Sequence, residues 1–317
     1  MEQMPAEDQN GLSRDHVLWG YRLFLDRDAE NEAVIAEKLS GNRDTQELRR
    51  NFMLSAEFGV KNPELTLFQD SHIVIKELDD NSRIFIDLAD SVIGWNIIRG
   101  TYEKPELDFV RRTIKPGQNV IDIGANIGVF TITMGSLVGP TGKVYAFEPH
   151  EPEAKLLAKS IVENSFTDRV VLERMAVSHE AGKGNLVSAV KTINAGGAYL
   201  SNNVEQIPAG HETNEIELIT LDTYNLKRPV SFIKIDVEGA EPLALRGAKH
   251  LLQEDRPVIL SELHPAQLQK VSGCTPAEFI GTLEQLGYEC HDLHGTGLTP
   301  SVDEESKVKS VVFLPRR

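Results

Sequence analysis

The chain has 317 residues, with 33 Lys and Arg against 48 Asp and Glu, a formal net charge of −15 at neutral pH. Polyanions are held through basic contacts to their phosphates, and an acidic surface repels them over a screening length of about 10 Å, so nucleic acid and anionic membranes are disfavoured as partners. Hydrophobic content of 40%, with 24 Gly and 15 Pro, excludes a low-complexity chain and describes a folded globular protein.

The first ten residues carry Glu2, Glu7 and Asp8 and no apolar core, so they are not expected to act as a secretion signal. Residues 12–58 place Val17, Leu18, Tyr21, Leu23, Phe24 and Leu25, then Val34, Ile35 and Leu39, then Leu48, Phe52, Met53 and Phe58 at helical spacing, which predicts a small helical domain over 1–62. The pattern Tyr21, Leu23, Phe24, Arg27 with Phe52, Ser55, Glu57 and Phe58 resembles a helical domain of unknown function that recurs beside bacterial glycosyltransferases and surface-glycan enzymes. That resemblance implies docking of a glycosyltransferase or glycan-assembly partner through residues 12–58; an amphipathic cap that only packs is the alternative. Asn62-Pro63 is the expected boundary, because the residue before proline is biased away from helix. Residues 72–76 and 83–87 alternate around Asp79, Asp80, Asn81 and Ser82 as a β-hairpin, giving a connector over 63–100. A helix is predicted from Pro105 to Ile114.

From Asn119, in the domain expected over 101–317, short apolar strands alternate with helices. Strands are predicted at 119–123, 143–147, 169–173, 215–220, 231–236, 257–262, about 288–292 and 309–314, with helices near 128–138, 151–164, 239–253 and 275–286. This is an α/β pattern with a largely parallel sheet covered on both faces, and its ligands belong beyond the carboxyl ends of the strands. The uncharged stretch 123–142 has the length of a membrane span, but its glycines, Asn126 and Pro140 fit a strand-loop-helix unit better, so no transmembrane segment is expected. Cys274 and Cys290 have no ligand spacing and a chain this long needs no disulfides, so a reducing, cytoplasmic setting is expected.

The first of these strands runs Val120-Ile121-Asp122-Ile123-Gly124-Ala125-Asn126-Ile127-Gly128 into a helix. Gly124 permits a tight turn and Gly128 close packing at the helix start. The spacing lacks the G-x-G-x-x-G of a dinucleotide site, which disfavours an NAD-linked dehydrogenase, and an acid before the first glycine suits a cation. S-adenosylmethionine carries an ammonium and a sulfonium, so Asp122 is expected to meet the ammonium, with loop amides or Asn126 on the carboxylate. The next strand ends at Glu148, which can accept both hydrogens of a ribose diol; a helix-start acid favoured by the macrodipole is the alternative.

The blocks VIDIGANIGVFTI, VYAFEPH, ITLDTY and FIKIDVEGAEPLALRGA, in this order over residues 100–262, resemble the FkbM-type family of S-adenosylmethionine-dependent methyltransferases. The resemblance implies a Rossmann-like class I methyltransferase sheet of seven strands with the last antiparallel, here joined to the small N-terminal helical domain. It also implies a tyrosine-acid pair near the cofactor cleft, which Tyr102 and Glu103 match, although a plain turn is the other reading.

Methyl transfer needs the acceptor held about 3–3.5 Å from the methyl carbon, opposite the sulfur, and an alcohol must lose its proton to a base. Asp236, at a strand end, is expected to face the cofactor's cationic side or the acceptor. Glu238 and Glu241 come next, and could act with it or only stabilise the start of a helix. These acids could also hold a divalent cation, but no other ligand spacing supports a metal. Glu262 and His264 lie two apart, on one face if the strand continues. His264 is expected as the general base with Glu262 orienting it or binding substrate; a loop histidine that caps the next segment is the alternative. Ala176 stands where an adenine is flanked, and Tyr199, in the loop 191–213, could stack on a sugar. The expectation is an O-methyltransferase for a sugar hydroxyl of a surface polysaccharide or glycolipid precursor. A small-molecule acceptor such as a polyketide, peptide or lipid hydroxyl, and a non-catalytic scaffold that keeps the cofactor pocket, stay open.

Overall fold

A computed structural model describes residues 12–42, 44–53, 55–61, 71–90, 92–190, 197–201, 207–294, 297–300 and 308–316. The acidic start, the Asn62-Pro63 boundary and residues 191–196 and 202–206 of the loop predicted over 191–213 lie outside them.

Four helices open the chain: α1 (Arg14–Leu25), α2 (Glu32–Ser40), α3 (Thr45–Met53) and α4 (Ala56–Lys61). Ser13 caps α1, and the Asn31 side chain accepts the Val34 N–H at 3.0 Å to start α2. Val17, Tyr21 and Leu25, one turn apart, bury against Ile35, Leu48, Phe52 and Phe58 in a core of their own. Leu23 and Met53, expected on the apolar face, are exposed, because their helix positions fall away from that stripe.

Strands β1 (Ile73–Glu77) and β2 (Arg83–Asp87) form the expected antiparallel hairpin. Ile84 and Ile86 are fully buried in the core of the main sheet, so the hairpin is packed onto that sheet. Helices α5 (Ile93–Arg99) and α6 (Lys104–Thr113) come next, and then the alternating region begins: β3 (Asn119–Ile123), α7 (Val129–Val138), β4 (Lys143–Phe147), α8 (Glu151–Glu163) and β5 (Val170–Glu173).

After β5 the chain leaves the main sheet. Strands β6 (Met175–Val177), β7 (Gly182–Ala189), β8 (Tyr199–Leu200) and β9 (His211–Ile219) make a second sheet in the order β6-β9-β7-β8. The strand predicted at 215–220 therefore belongs to this insertion and not to the main sheet. The chain returns with β10 (Val230–Ile235), α9 (Glu241–Arg246), α10 (Lys249–Glu254), β11 (Val258–Leu263), the short α11 (Pro265–Gln267) and a π-helical turn at Leu268–Ser272. The single helix expected over 239–253 is broken at Gly247, where a Cβ would lie 2.0 Å from the Ser178 carbonyl oxygen, a close approach that only glycine allows. Helix α12 (Pro276–Gln285), β12 (Tyr288–His294), β13 (Gly297–Pro300) and β14 (Lys309–Pro315) complete the chain.

The main sheet runs β13-β12-β14-β11-β10-β3-β4-β5. β3, β4, β5, β10 and β11 pair in parallel, and β14 enters antiparallel between β11 and β12. This is the expected seven-strand sheet with the last strand antiparallel, extended by the edge strand β13. Along β3, Val120 joins one apolar core while Ile121 and Ile123 join the other; Val144 and Ala146 of β4 likewise alternate with Tyr145 and Phe147. Both faces are thus covered, as a parallel sheet requires. Among the described residues no helix is long and apolar enough to cross a membrane.

Candidate active site

A cleft of about 880 Å³, open to solvent, lies beyond the carboxyl ends of β3, β4 and β10. After β3 the backbone takes left-handed conformations at Gly124 (φ 77°), Asn126 (φ 51°) and Gly128 (φ 99°) before α7 begins. A Cβ at 124 would stand 1.9 Å from the Asp236 carbonyl oxygen, which is backbone and cannot swing aside. At 128 it would stand 2.3 Å from Leu157 Cδ1, a side chain that can yield. Gly128→Ala is therefore expected to fold and to cost about 2–5 kcal/mol, the left-handed penalty of about 1–2 plus about 1–3 for displacing the buried Leu157. Urea denaturation measures it, and an unchanged midpoint would refute the strained geometry.

Glu148 sits in the cleft wall where β4 ends. Its two oxygens accept the N–H groups of Asn126 and His150, each at 2.8 Å, which ties the turn after β3 to the tip of β4. Each oxygen keeps a further lone pair, so a diol can still be accepted. Burial pushes this carboxyl up to about 7, Glu153 adds to the rise, and the two N–H donors oppose it.

The expected contact of Asp122 with a cofactor ammonium is corrected by the structure. Its side chain is fully buried, absent from the cleft wall, and turned inward to Thr131, whose Oγ1 donates to Oδ2 at 2.5 Å. Its ionic neighbour is Lys234, with Nζ 3.9 Å from Oδ1. Lys234 is the residue that sequence reasoning missed. It lines the cleft, donates to the Gly124 carbonyl at 3.1 Å, lies 3.6 Å from Asp236 Oδ2 and stands 5.1 Å over the Phe130 ring. Burial alone would lower its ammonium, but Asp236, Asp122, Glu103 and Glu262 outweigh that and hold it above the ordinary lysine range. The available signal was a lysine inside the apolar run Phe232-Ile233-Lys234-Ile235, because an unpaired lysine is almost never buried.

Asp236 and Glu238 line the cleft. Burial, then Asp236 and Glu241, push Glu238 up to about 7. Glu241 is buried and turned back on its own loop, its Oε1 accepting the N–H groups of Val237 at 2.9 Å and Gly239 at 3.3 Å, which is the helix-start reading. Tyr102 lines the cleft beside Glu103, which precedes α6 with a φ of 38°. Burial pushes Glu103 up to about 7; Lys234 opposes the rise and Asp236 adds to it. Among the described residues, no three or more His, Cys, Asp or Glu side chains are grouped so as to hold a metal ion.

Glu262, on β11, is half-buried and outside the immediate cleft wall. Burial and the charges of Asp236, Glu238 and Glu103 push it up to about 8. His264 does not continue the strand: it caps α11, its Nδ1 accepting the Gln267 N–H at 3.4 Å. A ring whose Nδ1 accepts must carry its neutral-form proton on Nε2, so the free imidazole base expected here is replaced by a cap. Ala176 lies in the cleft wall with Met175 and Val177 of β6; Leu186 of β7 and Ala198 and Leu200 beside and in β8 extend that wall. Tyr199, expected as a ring on which a sugar could stack, is buried and absent from the cleft wall, with Lys270 Nζ 3.6 Å from its ring centroid.

Residues 122–290 match the methyltransferase FkbM domain. The chain is 30% identical over 162 residues to the 31-O-demethyl-FK506 methyltransferase FkbM of Streptomyces tacrolimicus, covering 43% of this chain and 61% of that protein. It is 34% identical over 99 residues to ribosomal RNA large subunit methyltransferase E of Chromohalobacter salexigens, covering 31% of this chain and 47% of that protein. The chain thus spans about half to three fifths of the length of these curated relatives. A methyltransferase FkbM from Methylobacillus flagellatus, known from its crystal structure, aligns with 71% of this chain and 54% of its own at 16% identity and a TM-score of 0.40. The matched block takes in the turn after β3, Glu148 and the Lys234–Glu241 segment, more than half of the chain, and the chain belongs to the FkbM methyltransferase-domain family.

Proposed function

We propose that this chain is an S-adenosylmethionine-dependent O-methyltransferase whose acceptor is a sugar hydroxyl of a surface polysaccharide or glycolipid precursor, and that it works in the cytoplasm. The observation that carries the reaction class is the cleft itself. Its wall joins a carboxylate at the tip of β4, an apolar slot and the acids at the end of β10. Glu148 suits a ribose diol, the slot formed by Met175, Ala176 and Leu186 suits a flat adenine, and Asp236 and Glu238 suit a cation. When bound, the cofactor supplies an electrophilic methyl carbon on a sulfonium. The chain's own residues hold the acceptor oxygen in line with that carbon and take up its proton.

With His264 engaged as a cap, Glu262, near enough to Asp236 and Glu238 for their charges to raise it, is our candidate for that proton, with Glu238 in the cleft wall as the other. An oxygen acceptor is supported by the Streptomyces relative, named for a compound lacking an O-methyl group. The same name favours a second reading, a hydroxyl of a non-glycan small molecule. An RNA acceptor, as named for the Chromohalobacter relative, is opposed by the net charge of −15. The glycan reading rests on the resemblance of residues 12–58, where exposed Trp19 and Leu23 offer a glycosyltransferase partner apolar surface.

Titration calorimetry is expected to register heat of binding with S-adenosylmethionine and none with NAD. No binding of S-adenosylmethionine by folded protein would overturn the reaction class. Labelled methyl should pass into an extracted glycan fraction; transfer only to small-molecule extracts would select the second reading, and binding without any transfer would select a scaffold.

A further inference from the structure

The small sheet forms part of the cleft wall, and its outermost strand is short. Among the described residues β8 is an edge strand of two residues that pairs only with β7, through Leu186 with Leu200 and Val187 with Tyr199. Ala198 and Leu200 face the cleft, so by strand alternation Tyr199 between them faces away. On that outer side Lys270 Nζ stands 3.6 Å from the Tyr199 ring centroid, on the face of a buried ring.

Lys270 belongs to the π-helical turn Leu268–Ser272, and π turns inside helical segments often mark functional places. This turn is also fastened to a second segment of the cleft wall. Ser272 Oγ donates to the Gly239 carbonyl at 2.5 Å, and a Cβ on Gly239 would lie 2.3 Å from the Gln267 carbonyl oxygen. One turn therefore touches two segments of the cleft wall: the Val237–Ala240 loop, through the Ser272 hydroxyl and close backbone packing at Gly239, and the edge strand of the small sheet, by a cation on an aromatic face.

We propose that Lys270 is a positioning residue, a latch that holds the β8 wall closed against the apolar slot and so sets how long the cofactor stays bound. The inference rests on the cofactor reading above for its consequence, but the latch is defined by this chain alone. A cation on an aromatic face contributes about 0.5–1 kcal/mol where the cation is exposed, as Lys270 is, and tenfold corresponds to about 1.4 kcal/mol, so the latch is worth about 2- to 5-fold in an opening equilibrium.

The test compares Lys270→Met, Lys270→Arg, Tyr199→Leu and Tyr199→Phe in the full chain. Lys270 is exposed, so its variants are expected to keep the fold. Release of S-adenosylhomocysteine, measured by displacement in stopped flow, should quicken about 2- to 5-fold in Lys270→Met and at least as much in Tyr199→Leu. It should stay near wild type in Lys270→Arg and Tyr199→Phe, which retain a cation and a ring, and the double variant Lys270→Met with Tyr199→Leu should release no faster than the faster of the two single variants. Hydrogen exchange at the β8 amides, measured without any cofactor, should quicken by the same factor in Lys270→Met. Unchanged exchange there, or equal release from the Met and Arg variants, overturns the latch. Faster exchange in a protein whose wild type binds no S-adenosylmethionine or S-adenosylhomocysteine keeps the latch and overturns the cofactor reading.

Discussion

Replacing Lys234 by methionine is expected to cost the fold about 3–5 kcal/mol, the range for removing one partner of a buried ion pair. The cost comes from what is left behind. Asp122 is fully buried, Thr131 is its hydrogen-bond donor, and one of its oxygens has no hydrogen-bond partner, so without the lysine its charge is stranded. Lys234 also joins the Gly124 carbonyl to Asp236, fastening the turn after β3 to the end of β10. Methionine fills a similar volume and removes only the charge and its donors. Adding Asp122→Asn to Lys234→Met should therefore return most of the loss, because the stranded charge disappears. Guanidinium denaturation of the two single variants and the double variant measures this coupling. A loss below about 1 kcal/mol, or simple additivity, would show that the pair is not a unit.

How much of this site is legible in the sequence depends on how local each cause is. The strand runs at 119–123 and 143–147 coincide with β3 and β4, because an unbroken Val-Ile run ending in an acid and a glycine admits few other structures. Gly124, Gly128 and Glu148 are readable for the same reason: each acts within a few residues of its own strand end. Asp122 lies on the expected strand with an unexpected partner, since its ionic partner is more than a hundred residues away. Lys234 escapes a reading by hydrophobic periodicity, which counts a lone charge as noise, although burial makes it the centre of the site. The small sheet is invisible for a different reason. The alternation of β9 looks like that of any half-buried strand, and only pairing with β7 and β6 shows which sheet it joins. His264 shows the limit of spacing arguments: Glu262 and His264 would share a face only if the strand ran on, and the proline after His264 starts a helix turn instead.

The second large effect expected is on turnover, from Glu262→Gln. General bases contribute about 10²- to 10⁴-fold, so kcat should fall by that range while cofactor affinity changes little. His264→Ala should cost less than about tenfold, because a cap is lost and not a proton acceptor. The pH profile separates a base from a merely structural carboxyl. Glu262 must be ionised to accept a proton, and burial with its acidic neighbours pushes it up to about 8 in the free protein. The wild-type kcat/KM, which reports the free enzyme, should therefore climb with pH to a midpoint near that value. A cationic cofactor in the cleft favours the carboxylate form, so the midpoint in kcat, which reports the complex, should lie lower. Glutamine removes the acidic limb from both profiles. An acidic limb that persists in Glu262→Gln and vanishes in His264→Ala would assign the proton to the histidine, in which case the Gln267 hydrogen bond must open before each turnover.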